Sequence, residues 1–247
     1  MNQTGRNWPG DRERVLLEEA YVLHRRPYRE TSALVDILSA RHGRLPLLAK
    51  GLRRGKSADP LQPFRLLRVS WTGNVEFPLY TGAESIGAAP ILVGAALYCA
   101  LYLNELLLHL LPPGDPCPKV FRLYRDSLAR LEPEAGRENT LRRFELGLLE
   151  EIGYGLDLYA EIDPARRYLY VIEQGLAEAK LDHTDSISGA TLLNLRRGAL
   201  EDAGELREAK HLMRRLLNHY LGGRPLKSRT LFQTVPPAPS PSTASSP

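Results

Sequence analysis

Only two cysteines, Cys99 and Cys117, occur in 247 residues. Neither has a second cysteine or a histidine at metal-ligand spacing, so the sequence holds no recognisable structural zinc site. Cys99 sits inside an apolar helical run and reads as a buried free thiol. Long apolar runs are missing as well. The greasiest stretch, "ILVGAALYCALYLNELLLHLL", is interrupted by Asn104, Glu105 and His109, short of the roughly 18 uninterrupted residues that a membrane span needs. The opening "MNQTGRNWPGDRER" is polar and lacks the apolar core of a signal peptide, which makes a cytoplasmic address the expectation.

Catalytic signatures are lacking too. No Gly-x-Ser-x-Gly elbow or Cys/His arrangement supplies a nucleophile beside a base. The histidines at 24, 42, 109, 183, 211 and 219 form no i, i+4 pair. Glu150 and Glu151 are adjacent on a helix and point about 100° apart, too divergent to share a proton. No acidic cluster suits a pair of magnesium ions. The expectation is a protein that is not an enzyme and uses no cofactor.

"GLRRGKS", at positions 51–57, looks at first like a nucleotide-binding loop. Such a loop needs four residues between its first glycine and the Gly-Lys-Ser end, so that successive backbone N–H groups can wrap a phosphate before a helix starts. Only Leu52, Arg53 and Arg54 intervene here, and Pro60 and Pro63 follow where the helix should open. The segment reads instead as an exposed basic loop.

What is abundant is positive charge, and it is segregated. Residues 1–83 hold 14 Lys/Arg against 8 Asp/Glu, and residues 203–232 hold 7 against 2, although the whole chain carries only +4. Segregation of this kind points to an anionic partner.

The organisation is legible from periodicity. Between residues 13 and 84, "VLLEEAYVL", "ALVDILS", "LPLLAKG", "FRLLRVSW" and "VEFPLYTGAES" read as five short strands, which suits a small closed barrel, with the basic loop between the third and fourth. From 85 to 235 the rhythm is helical. A helix greasy on nearly every face runs over 90–111, and "KVFRLYRDSLARLE" and "ENTLRRFELGLLEEIGYG" form two more, the latter with Asn139 as N-cap and Gly153 or Gly155 as stop. An irregular or β insertion at about 158–185 precedes further helices near 188–195 and 206–221. Residues 1–12 and 236–247 read as flexible or disordered tails. The fold class expected is therefore α+β, a β-barrel followed by a mainly helical domain.

Phosphate binding needs long cationic side chains on a surface that follows a backbone, and it gains from rings on which bases stack. Candidates are Arg25, Arg26, Arg29, Arg44, Lys50, Arg53, Arg54 and Lys56, with Tyr28 as the favoured stacking ring. Pro27 within "LHRRPYRETS" places Arg25, Arg26 and Arg29 on a loop beside the barrel. Trp71, Tyr21 and Tyr80 read as barrel core. Gly222 and Gly223 end a helix, and Arg224, Lys227 and Arg229 follow as a second basic cluster on an exposed segment. Phosphate contacts alone do not separate DNA from RNA, so an RNA-binding barrel protein is the alternative.

Five blocks in order, "AYVLHRRPYRETSALVDILSARHGRLPLLAKGLRRGKS", "LQPFRLL", "ALYCALYLNELLLHLL", "LRRFELGLLEEIGYG" and "YLGGRPLKSRTLF", cover most of residues 20–232. In this combination the chain resembles the RecO family of bacterial recombination mediators. The resemblance implies an N-terminal OB-fold, a helical domain and no catalytic turnover. It also implies binding of single- and double-stranded DNA, annealing of complementary strands, and cooperation with RecR in loading RecA onto DNA coated by single-stranded-DNA-binding protein. That coating protein's acidic, apolar-ended tail is contacted through the helical domain. Lys50, Arg53, Arg54 and Lys56 match the family's basic loop. Arg142 matches the arginine implied to hold a tail carboxylate, with Arg143 as its neighbour. Many members carry a four-cysteine zinc site after "GYG". This sequence has none there, so no metal role is expected and packing must hold the insertion.

Overall fold

Alternating apolar side chains and well-placed turn residues build the N-terminal unit. In the computed structural model, which describes residues 14–51, 60–73, 76–158, 161–179 and 183–232, there are five such strands: β1 (Arg14–Tyr28), β2 (Ser32–Ser39), β3 (Gly43–Ala49), β4 (Leu66–Thr72) and β5 (Leu79–Ser85). They close into a barrel in the order β1-β2-β3-β5-β4. All pairs are antiparallel except β3 with β5, which meet in parallel at Leu48 and Leu79. This is an OB-like barrel. Every second residue faces inward, and Val22, Val35, Ile37, Leu47, Leu67, Val69 and Trp71 fill the interior. Trp71 is thus core, as the sequence suggests.

The placement of Arg25, Arg26 and Arg29 on a loop needs correction. β1 runs on through Pro27 to Tyr28, so Arg25 and Arg26 are strand residues paired with Val35 and Leu34, and only Arg29 lies on the turn. The physical reason is that β1 pairs with β4 only as far as Tyr21. Beyond it β1 is an edge, where a proline without an N–H is tolerated. At the other end of β2 the buried Glu18 holds the turn. It accepts from Ser39 Oγ at 2.8 Å, from the Arg41 backbone N at 3.3 Å and from Arg41 Nε at 2.7 Å. Burial works to raise its pKa, but the bonds from Arg41 and Ser39 outweigh that and leave it lowered.

The C-terminal unit comprises α1 (Gly94–Leu110), α2 (Pro118–Leu128), α3 (Arg137–Glu151), a small sheet of β6 (Arg167–Val171), β7 (Gly175–Glu178) and β8 (Ile187–Ser188) in the order β7-β6-β8, then α4 (Gly189–Arg197), α5 (Ala203–Tyr220) and α6 (Ser228–Leu231). Among the described residues no helix is long and apolar enough to cross a membrane. α1 starts later than its apolar run implies, because Val93 is extended, as β-branched residues favour. α3 is capped by Gly136 rather than Asn139. The Asn139 side chain instead bridges to the segment after α4, donating to Gly198 O at 2.7 Å and accepting from Leu200 N at 3.4 Å. The insertion is tied to α5 through one carboxylate as well as by packing. Glu208 accepts from Arg167 Nη2 at 2.8 Å, Ser188 N at 3.0 Å and Thr191 Oγ1 at 2.8 Å.

Barrel and helices share a core. Tyr21, Leu23, Leu38 and Phe64 belong to the same buried cluster as the helical residues, and the Tyr21 ring lies 5.4 Å from Phe121 and 5.1 Å from Tyr124. At the centre, Asn104 on α1 donates to the Leu23 carbonyl at 2.8 Å and accepts from the Tyr124 hydroxyl at 2.5 Å. At the rim, Arg44 Nε donates to Leu111 O at 2.9 Å and Gly114 N donates to Arg44 O at 2.7 Å. The adjacent Gly43 has φ +66°, and a Cβ there would lie 1.9 Å from the Asp115 carbonyl oxygen. Only glycine permits that approach.

Asn104→Leu is expected to cost about 3 kcal/mol, because it strands a buried carbonyl and a buried hydroxyl. Adding Tyr124→Phe should then cost less than it does in the wild-type background. Urea unfolding measures both; a loss below about 0.5 kcal/mol for Asn104→Leu would show that the amide does not join the two units.

Candidate nucleic-acid interface and anion pocket

Register brings part of the basic set together. Arg26 pairs with Leu34, which pairs with Leu48; Pro27 pairs with Ala33, which pairs with Ala49; Tyr28 pairs with Ser32. The β1–β2 turn and the end of β3 therefore lie at one end of the barrel. Arg26, Tyr28, Arg29 and Lys50 are gathered there, with Arg26, Arg29 and Lys50 exposed and Tyr28 half-buried. The Arg29 guanidinium carbon stands 5.3 Å from the Tyr28 ring centroid, a cation–π distance. Arg25 is half-buried. The basic loop departs from this same end at Gly51, and its Arg53, Arg54 and Lys56 lie outside the described residues.

Arg44 is not at that end. It sits at the junction with the helical unit, bonded to Leu111 and 3.5 Å from Asp36 Oδ1. The second basic cluster is also divided. Arg224 and Lys227 are exposed, whereas Arg229 belongs to α6 and donates to Asn218 Oδ1 at 2.7 Å. The segment is therefore anchored rather than simply exposed. Its anchor is Glu105 on α1, which accepts from Lys227 N at 2.8 Å, Ser228 N at 2.9 Å and Ser228 Oγ at 2.6 Å. Burial would raise the Glu105 pKa, and these three bonds bring it below the ordinary value.

A second site lies where α1, α3, α5 and α6 meet. A pocket of about 130 Å³ is lined by Tyr102, Glu138, Leu141, Arg142, Lys210, Arg214, Arg229 and Phe232. Four cations face two carboxylates around it, counting Glu145 just behind the wall. Arg142 is buried and bonds Glu145 through Nη2 at 2.7 Å, and the Tyr102 hydroxyl donates to the same Glu145 oxygen at 2.6 Å. Burial pushes the Glu145 carboxyl up, only partly offset by the Arg142 charge, and it pushes the Tyr102 hydroxyl well up. Among the described residues, Nε and Nη1 of Arg142 and Nη2 of Arg229 are buried with no hydrogen-bond partner, as are Oε2 of Glu138 and Oε2 of Glu145. Buried guanidinium N–H groups without acceptors are costly, so the pocket is suited to an anion, which would satisfy them by charge-assisted bonds.

Arg143 does not join this pocket. It is exposed and packs toward Gly198 beside the α3 N-terminus, in a different cleft. Neighbouring helical residues point about 100° apart, so one of the pair had to diverge. Sequence reasoning missed Tyr102, Glu138, Lys210, Arg214 and Phe232 as companions of Arg142. The basic excess over 203–232 was the available signal for the two cations of α5.

Two family models cover these units in order: Recombination protein O N terminal matches residues 14–89, and Recombination protein O C terminal matches residues 93–230. The chain belongs to the RecO family. Proteins named DNA repair protein RecO resemble it along nearly their full length. That of Methylococcus capsulatus is 49% identical over 233 residues, covering 91% of this chain and 96% of its own. That of Nitrosococcus oceani is 46% identical over 232 residues, covering 90% and 94%. That of Coxiella burnetii is 41% identical over 230 residues, covering 89% and 99%. The boundary between the two RecO models falls between β5 and α1, where the strand pattern gives way to the buried helix.

The different settings of the two adjacent arginines make a direct contrast. Arg142→Ala leaves Glu145 buried without its cation and is expected to destabilise the fold by about 3–5 kcal/mol. Arg143→Ala should stay within about 0.5 kcal/mol of wild type. Urea midpoints that shift equally would contradict the buried pair.

Proposed function

We propose that this RecO-family protein acts in DNA repair as a recombination mediator. In this reading it binds single- and double-stranded DNA through the basic end of its barrel and anneals complementary strands. With RecR it loads RecA onto DNA coated by single-stranded-DNA-binding protein. The observation that carries the DNA contact is the gathering of Arg26, Tyr28, Arg29 and Lys50 at the barrel end from which the loop bearing Arg53, Arg54 and Lys56 departs. Exposed lysine and arginine side chains neutralise phosphates without a fixed geometry toward base edges, which suits binding without sequence preference. Annealing follows from neutralising two strands on one surface, which lowers their mutual repulsion.

The coating protein's tail is assigned to the pocket around Arg142. A terminal carboxylate would take up the free N–H groups of Arg142 and Arg229, an apolar end residue would rest on Leu141 and Phe232, and preceding acidic residues would face Lys210 and Arg214. Arg143 falls outside this assignment, and Arg44 is assigned to the junction.

Fluorescence anisotropy of a labelled single strand across a salt series tests the first part. With about four phosphate contacts, log K should fall by roughly 3 per decade of salt, and the Arg53→Glu, Arg54→Glu pair should show a clearly shallower slope. Identical slopes would remove the loop from the interface. A peptide with an acidic, phenylalanine-ended tail tests the second part. Arg214→Glu, or amidation of the peptide's end, should weaken its binding about tenfold; unchanged affinity in both would detach the tail from this pocket.

A further inference from the structure

Two grooves meet where the barrel faces the helical unit. One, of about 630 Å³, lies between β1–β2 and the α1/α6 pair, with Arg26, Leu101, Leu108, His109, Lys227 and Leu231 on its walls. The other, of about 650 Å³, continues past Asp36, Arg44 and Pro46 to the barrel end at the β2–β3 turn, where Arg41, His42, Trp71 and Phe77 line it. Arg26, Asp36 and Arg44 line both, so the grooves form one trough with Arg26 at its midpoint.

The charges in the trough are unevenly committed. Asp36 Oδ1 lies 3.5 Å from the Arg44 guanidinium, and Glu105 is occupied by the three donors of the α6 anchor. The Arg26 guanidinium and the Lys227 ammonium are left without partners among the described residues, one on each wall, and both residues are exposed. Arg41 keeps its side chain 74% exposed although it bonds Glu18. Between these cations the walls are apolar, with Leu101, Leu108, Leu231 and Pro46.

We propose that this trough is the track of a single DNA strand, so that the helical unit forms one wall of the DNA site. Phosphates lie along Arg41, Arg26 and Lys227, and bases turn toward the apolar walls. The inference rests on the DNA-binding reading given above and deepens it by assigning a path. It favours a single strand because only unpaired bases have faces free to pack on apolar side chains. Glu76, exposed at the barrel end of the trough, is an acidic side chain with no partner among the described residues, and it opposes the track.

The test uses the full chain and a labelled oligothymidine. Arg26→Glu and Lys227→Glu should each weaken single-strand binding about tenfold. Because each removes one phosphate contact, the pair should flatten the salt slope by about 1.4. Glu76→Lys should tighten binding severalfold. p-Benzoylphenylalanine at His109, on the helical wall, should cross-link the bound strand; far-ultraviolet circular dichroism of each variant checks its fold. A wild-type chain that binds no DNA overturns the DNA-binding reading and the track with it. A wild type that binds, with variants of equal affinity and slope and no cross-link from position 109, overturns the track alone. Variants that weaken duplex binding and leave single strands untouched overturn it as well.

Discussion

The Asn104 amide is the interaction on which the architecture turns. Without it the Leu23 carbonyl on β1 and the Tyr124 hydroxyl on α2 would both be buried without partners, in the layer where barrel and helices share their apolar side chains. One residue of α1 satisfies both and so fixes how the barrel sits on the bundle. Arg44 and Gly43 repeat the arrangement at the rim, through Leu111, Gly114 and Asp115. In the primary structure Asn104 is merely a break in a greasy run. It is nevertheless the polar group through which the run meets both the barrel and α2.

The elements were largely legible, because a five-strand alternation followed by a 3.6-residue rhythm has few readings. Where reading failed, long-range partners decided. Pro27 stops a helix and so suggests a loop, yet a strand whose second partner has already ended loses nothing by lacking an N–H. Asn139 has a capping side chain, and the segment after α4 claims it. The insertion has no cysteines to hold it, and Glu208 gathers three donors from β6, β8 and α4 in a way no local pattern announces.

The candidate sites were legible in part for the same reason. Arg142 stood out through the family resemblance, but its pocket draws on four helices whose residues lie up to 130 positions apart. Glu145, three residues along the same helix, holds one edge of the guanidinium and leaves other N–H groups free. A buried ion pair of this kind adds little net stability, yet it fixes an orientation. The basic residues of the first third were all visible, and their division between barrel end and junction was not.

One consequence concerns α6, a single helical turn. Lys227, Ser228, Thr230 and Leu231 face the trough, while Arg229 and Phe232 face the anion pocket on its other side. The turn is a partition between two chambers, and the Glu105 anchor, the Arg229 bond to Asn218 and the Phe232 ring against Tyr98 help to hold it. An occupant that displaced it on one side would change the shape of the other, and thermodynamic linkage would make that effect mutual and equal in free energy.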